Sequence, residues 1–220
     1  VSLYNETKGE GIYPTPVMGI VGIIDDVTKS VPSGFQKGGE RIILLSANTS
    51  RDAGLLERFG SSDYAKTVLQ SFWGAPPRLE ITEEAELHKC LAALSDSRLL
   101  TSASDVSDGG IAVALAKSCF AKGIGAAISL DHFNGDSVVA EVFNEEASVV
   151  LVTCTHESFA RVVEICGQFG SVTPLDIGTT GGKMLDIFTP KGSAISDSVT
   201  ALKSVWSGAL EAQLAEEVFA

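Results

Sequence analysis

The chain has 220 residues, 45% of them hydrophobic, and carries a net charge of −12 from 16 basic and 28 acidic side chains. That apolar content suffices for a sizeable core and excludes a disordered chain, while the acidic balance without a basic stripe argues against nucleic-acid binding, which leans on Lys and Arg to neutralise phosphates. No apolar run approaches the ~18–20 residues of a membrane helix, and the pattern of an export signal is missing, so the expectation is a cytoplasmic protein without a membrane partner.

In chain order, the opening "VSLYNETKGEGIYPTPVMGIVG" has no initiator Met and reads like the middle of a structured segment. "YPTP" fixes an extended approach, because a residue before proline is pushed out of the helical region. Residues 17–24 then supply an apolar strand with Gly19 and Gly22 at close backbone approaches. "TKSVPSGFQKGGE" (residues 28–40) has the Pro/Gly content of a linker. It separates a short first piece, residues 1–33, from a domain over residues 34–220.

"RIILLSAN" is an apolar run suited to a buried strand. Residues 52–73 read as helical with a break at Gly60, and "GAPP" as a loop. Thr82 is placed to cap the next helix, with Glu83, Glu84 and Glu86 near its positive dipole end and Leu87, Cys90, Leu91 and Leu94 on one face. A strand at residues 99–104 leads through "SDVSDGG" into a helix at 111–122. Strands follow at 125–130 and 148–154, then a helix at 157–169. Strands at 172–177 and 184–188 flank "GTTGG", and a final helix runs from about residue 197 to 218. The pattern predicts an α/β (α+β) fold in which a mixed β-sheet is layered with helices, the two strands around "GTTGG" antiparallel and joined as a hairpin.

Three stretches bear on chemistry. In "TSASDVSDGGIAVALAKSC" a strand ends in acidic residues and two glycines open a helix. Strand ends and helix amino termini suit anions, and Asp105 or Asp108 has the hard oxygen a metal ion takes. Alternatively Asp108 caps the helix while Gly109 and Gly110 allow close packing. "IGTTGGK" is not a phosphate loop, since Gly178 and Gly182 are too close together and Met184 follows Lys183. "VFNEEASVVLV" puts Glu145 and Glu146 before a strand, where side-chain alternation points them to opposite faces. His88, His132 and His156 have no Ser or Cys partner by spacing, and each reads as a surface or cap residue. Cys90, Cys119, Cys154 and Cys166 form no CxxC pair and read as buried free thiols.

"VSLYNET", "YPTPVMGIVGIIDDV", "SDVSDGGIAVALAKSC" and "VFNEEASVVLV" occur in this order. Together they make the chain resemble the carboxyl-terminal part of the phosphoribosylformylglycinamidine synthase family, in its large-subunit form. The resemblance implies the C-terminal domain fold of the aminoimidazole ribonucleotide synthase-like superfamily over residues 34–220. Residues 1–33 would be the last loop and strand of a nucleotide-binding domain plus linker. It implies an ATP-dependent ligase that uses ATP, Mg²⁺ and glutamine-derived ammonia to convert formylglycinamide ribonucleotide to the amidine. The implied partners are the upstream half of the same chain, a glutaminase subunit and a small bridging subunit.

The family motif Gly-Asn-x-Ser would end here at Val1-Ser2, so Ser2 carries over as a substrate-binding residue. The asparagine that meets magnesium would precede Val1. No catalytic residue carries over, and the chain alone is expected to be inactive. The family's metal-binding Asp stands where Asp105 lies, and its Glu-Ser-Gln substrate segment where "NEEAS" lies. Glu146-Ala147 replaces the polar pair of that segment, which favours a structural role for Asp105 and Glu145. A role as a structural and interaction module is the alternative.

Overall fold

In the computed structural model, residues 4–11, 19–47, 54–133 and 137–218 are described. The chain divides into two compact units, Val1–Ser30 and Val31–Ala220.

In the first unit, β1 (Glu6–Thr7) pairs antiparallel with β2 (Glu10–Gly11) across Lys8 and Gly9, both at positive φ. Such a two-residue turn matches the twist of a hairpin. The predicted strand over residues 17–24 is not borne out where it is described. Residues 19–24 make no sheet pairing, and Ile20, Val21 and Ile23 are more than 90% exposed. Residues 17–18 and Ser2 lie outside the described residues. Asp26 then accepts from the Thr28 amide to open a single 3₁₀ turn, Val27–Lys29.

The second unit is built on a seven-stranded sheet. Its strands are β3 (Arg41–Ser46), β4 (Leu100–Asp105), β5 (Ala126–Ser129), β6 (Val149–Cys154), β7 (Thr173–Thr180), β8 (Met184–Thr189) and β9 (Gly192–Ser198), in the order β4-β6-β3-β7-β5-β8-β9. The β5–β8 pairing is parallel and the other described pairings in this sheet are antiparallel. The sheet is therefore mixed, as expected.

β3 lies inside the sheet, between β6 and β7, which explains its unbroken apolar run. Ile42, Ile43, Leu44 and Leu45 are all fully buried, with Ile42 and Leu44 in one cluster and Ile43 and Leu45 in another. A strand covered on both faces has no polar side to alternate with. Full burial of each such side chain stabilises by about 1.5–3 kcal/mol.

One face packs against α4 (Gly110–Phe120), α5 (Val138–Phe143) and α7 (Val199–Val218). The opposite face packs against α3 (Ile81–Asp96) and α6 (Phe159–Cys166). The result is a layered helix–sheet–helix unit. Leu87, Cys90 and Leu94 form the buried stripe of α3, with Leu91 partly buried beside them, as their spacing predicted.

Several predicted details are corrected. The helix at 52–73 is two short helices, α1 (Leu55–Phe59) and α2 (Asp63–Thr67), broken at Gly60 and finished by residue 67. Thr82 does not cap α3, because it is already the second residue of the helix, with Glu80 at the cap position. The final helix begins at Val199, since the polar residues before it form edge strand β9.

β7 and β8 do run antiparallel, but they are not a hairpin: β5 lies between them. Gly178 permits the insertion. It sits at φ +154, and a Cβ there would stand 2.1 Å from the Ala127 carbonyl oxygen of β5.

Candidate functional site

The loop that ends β4, the amino terminus of α4 and the loop joining α5 to β6 meet at one edge of the second unit. The α4 turn is built by its glycines. Gly109 and Gly110 lie at φ +77 and +65, and a Cβ on Gly110 would be 2.6 Å from the Asn144 carbonyl oxygen. Only glycine allows the helix to start this close to the neighbouring loop. Asp108 supplies no side-chain cap, contrary to one of the two sequence expectations, and both Asp105 and Asp108 are exposed.

The capping charge comes from elsewhere. Glu145 Oε1 accepts from the Gly109 amide at 3.0 Å and from the Asp63 amide at 2.8 Å. One carboxylate thus occupies amides at the starts of both α4 and α2, where a negative charge is favoured. The two glutamates do diverge, as anticipated, but for a different reason. Residues 144–148 lie outside β6, so strand alternation does not govern them. Glu146 Oε1 accepts from Arg58 Nε at 2.8 Å and Nη2 at 2.8 Å, in a pair whose side chains are 12% and 8% exposed. The same oxygen accepts from Asn144 Nδ2 at 2.5 Å.

Asn144 is 6% exposed, and among the described residues its Oδ1 has no hydrogen-bond donor. A flipped amide would set Oδ1 against the Glu146 carboxylate, so the hydrogen bond to Glu146 fixes the orientation. Asn144, Glu141 and Glu146 share a cavity of about 330 Å³ with Val106, Ile111, Val149 and Leu175. His132 and Ser137 also line it, and Ser137 caps α5 by accepting from the Ala140 amide.

The sequence reading missed Arg58, Glu141 and Asn144. The signal for Asn144 was its place in "FNEEAS", directly before a buried strand. Arg58 and Glu141 lie on helices of five and six residues, too short for periodicity to reveal. His132 reads from sequence as a surface residue and is indeed exposed, yet it lines this cavity.

The remaining titratable candidates are not poised for chemistry. His88 pairs with Glu84 one turn away on α3. The four thiols are buried and free. Burial pushes Cys119 up to about 12 and Cys154 up to about 11. The hydrogen bond with Cys90, at 3.7 Å between sulfurs, and then burial raise Cys166 still further. A thiol held protonated, as those of Cys119, Cys154 and Cys166 are, is a poor nucleophile.

Among the described residues no three His, Cys, Asp or Glu side chains gather to hold a metal ion. Glu145 is engaged by two backbone amides, and Asp105 is exposed. Nor is any helix among the described residues long and apolar enough to cross a membrane.

This layered sheet, entered by a helix on a double glycine, is that of a known class. Residues 38–186 match the family described as AIR synthase related protein, C-terminal domain, and the chain belongs to that family. Over 212 residues, 96% of this chain, it is 36% identical to phosphoribosylformylglycinamidine synthase subunit PurL of Thermobifida fusca, and it spans 26% of that protein. The chain thus covers about a quarter of the length of the curated relatives it matches. Thermotoga maritima PurL solved with FGAR superposes with a TM-score of 0.66 at 17% identity, over 79% of this chain and 29% of that one. The same protein solved with ATP gives 0.59 at 16%, over 78% and 27%, and the T. maritima PurLQS structure gives 0.60 at 17%, over 79% and 27%. At these identities the structural likeness speaks to the fold.

Proposed function

We propose that this chain is the carboxyl-terminal part of a phosphoribosylformylglycinamidine synthase large subunit. The carrying observation is the 36% identity to a PurL protein sustained over 96% of the chain. In the complete enzyme, ATP phosphorylates the formyl amide oxygen of formylglycinamide ribonucleotide. Ammonia then displaces phosphate, leaving an amidine, ADP and phosphate. ATP complexes of T. maritima PurL support the nucleotide, and its FGAR complex supports the substrate class. The enzyme works in the cytoplasm.

In this reading residues 1–33 complete a nucleotide-binding domain and residues 34–220 form the final domain. Ser2 orients the substrate by a hydrogen bond, a positioning role. Mg²⁺ and the catalytic side chains come from the rest of the polypeptide. Asp105 and Glu145 serve structure, which the two backbone amides on Glu145 support. The upstream half, a glutaminase subunit and a small bridging subunit are the partners, and the PurLQS assembly of T. maritima supports a multi-subunit enzyme.

A role for the domain as an interaction module has its own support. Val205, Trp206, Leu210 and Leu214 of α7 are each more than half exposed, an apolar surface of the kind that packs on another domain.

The chain alone is expected to release no ADP from ATP when given Mg²⁺, formylglycinamide ribonucleotide and ammonium. Substrate-dependent ADP release by these 220 residues would refute the assignment of the catalytic groups to the remainder of the enzyme.

A further inference from the structure

We propose that Cys90 and Cys166 form an oxidation-sensitive pair whose disulfide staples α3 to α6. The inference rests on the packing of these two helices and is independent of the reaction assigned to the complete enzyme.

Geometry singles out the pair. Cys90 lies on the buried stripe of α3, and Cys166 is the last residue of α6. Their sulfurs stand 3.7 Å apart, although the residues are 76 positions apart in the chain. Both are fully buried and belong to the cluster on that face of the sheet with Ile43, Leu45 and Val152. A thiol that serves only as a small apolar side chain needs no second sulfur against it. A disulfide bond is about 2 Å long, so side-chain rotation and a modest approach of the two helices close the gap. Cys119 lies in the cluster on the opposite face. Cys154 shares the face of the pair but belongs to β6, which is held by a paired strand on each side.

Neither sulfur is placed for catalysis, and the chemistry open to the pair is its own oxidation. The hydrogen bond with Cys166 favours the Cys90 thiolate and lowers that thiol below its ordinary range, with burial opposing it. Thiolate is the form that attacks an oxidant. Hydrogen peroxide is the co-reactant, small enough to enter on brief opening of the end of α6, where Gly167 and Gln168 are exposed. The Cys90 sulfur attacks one peroxide oxygen and the O–O bond breaks. The departing hydroxide takes the proton that Cys90 gave up and leaves as water, and Cys90 becomes a sulfenic acid. The Cys166 sulfur then attacks the Cys90 sulfur, the S–O bond breaks, and the hydroxyl leaves as a second water with the Cys166 proton. Two electrons pass from the two sulfurs to one peroxide, and a dithiol reductant reverses the step. The bond ties together distant parts of the chain and so constrains the unfolded state, which makes the oxidised form the more stable.

The test treats the 220-residue chain with hydrogen peroxide, alkylates the remaining thiols in denaturant and maps the peptides by mass spectrometry without reductant. Two of the four thiols should disappear into one crosslink between the Cys90 and Cys166 peptides, and dithiothreitol should restore both. The urea midpoint should rise on oxidation and return on reduction. Cys166→Ala should form no intramolecular disulfide and should leave Cys90 as a sulfenic acid that dimedone labels, a step a merely structural thiol does not take. If Cys166→Ala fails to fold, the peptide map and urea midpoint of the parent decide alone. Preferential oxidation of Cys119 or Cys154 overturns the proposal. So does a parent that keeps all four thiols at a peroxide concentration that oxidises the unfolded chain, a Cys90–Cys166 bond that forms only in denaturant, or a crosslinked chain whose urea midpoint does not rise.

Discussion

Gly110→Ala tests the construction of the α4 turn. Two contributions follow from the geometry. An alanine at φ +65 enters the left-handed region, which costs about 1–2 kcal/mol for an L residue. Its Cβ would also stand 2.6 Å from the Asn144 carbonyl oxygen and 2.8 Å from the Phe143 carbonyl carbon. Both neighbours are backbone atoms, which cannot swing aside as a side chain does, so overpacking adds about 1–3 kcal/mol. The total is about 2–5 kcal/mol.

Gly39→Ala is the control. Gly39 lies at φ +86, and a Cβ added there would meet nothing within 4 Å, so it bears the conformational penalty alone. Urea unfolding followed by circular dichroism should show a lower midpoint for Gly110→Ala than for Gly39→Ala, the slope unchanged in both. Equal midpoints would refute the claim that the contact with residues 143–144 requires glycine at position 110.

Glu145→Ala should destabilise by about 1–3 kcal/mol by removing the charged acceptor from the part-buried Gly109 amide and the exposed Asp63 amide, whereas exposed Asp105→Ala should stay within about 0.5 kcal/mol of the parent in the same assay. Arg58→Ala should cost about 3–5 kcal/mol, because it leaves the buried Glu146 carboxylate without its cation; thermal unfolding of Arg58→Met/Glu146→Gln should recover much of the loss. The raised thiols of Cys119 and Cys154 give a pH signature. Above a free thiol's pKa, ~8.5, the unfolded chain ionises while the folded thiols stay protonated, so stability present below that pH is lost as pH rises toward about 11 to 12. Urea midpoints across that range should fall more steeply for the parent than for Cys119→Ala.

The parts of the fold legible in the sequence are those where one local pattern has one outcome. β3 reads directly from "RIILLS" because both its faces are buried. The stripe of α3 reads from Leu87, Cys90 and Leu94. The insertion of β5 between β7 and β8 was not legible, because pairing between distant segments leaves no periodic trace. Its marks are Gly178 and Gly125, where side chains would strike the neighbouring strand. β9 was not legible, because "GSAISDS" is polar and lies at the sheet edge.

The apolar stretch that includes Ile20, Val21 and Ile23 signalled a strand, but a strand needs a partner, and the described part of that stretch has no sheet pairing. At the candidate site, the double glycine and "NEEAS" were legible as special. Their roles were not, since Glu145 and Glu146 take their direction from Asp63, Gly109 and Arg58, residues remote in sequence.

Complementation tests the central claim most directly. ADP release from ATP, with Mg²⁺, formylglycinamide ribonucleotide and ammonium, is measured for this chain, for a PurL protein lacking the segment that matches it, and for the two combined. Activity in the combined sample alone is the predicted result. Activity of this chain by itself would contradict the account.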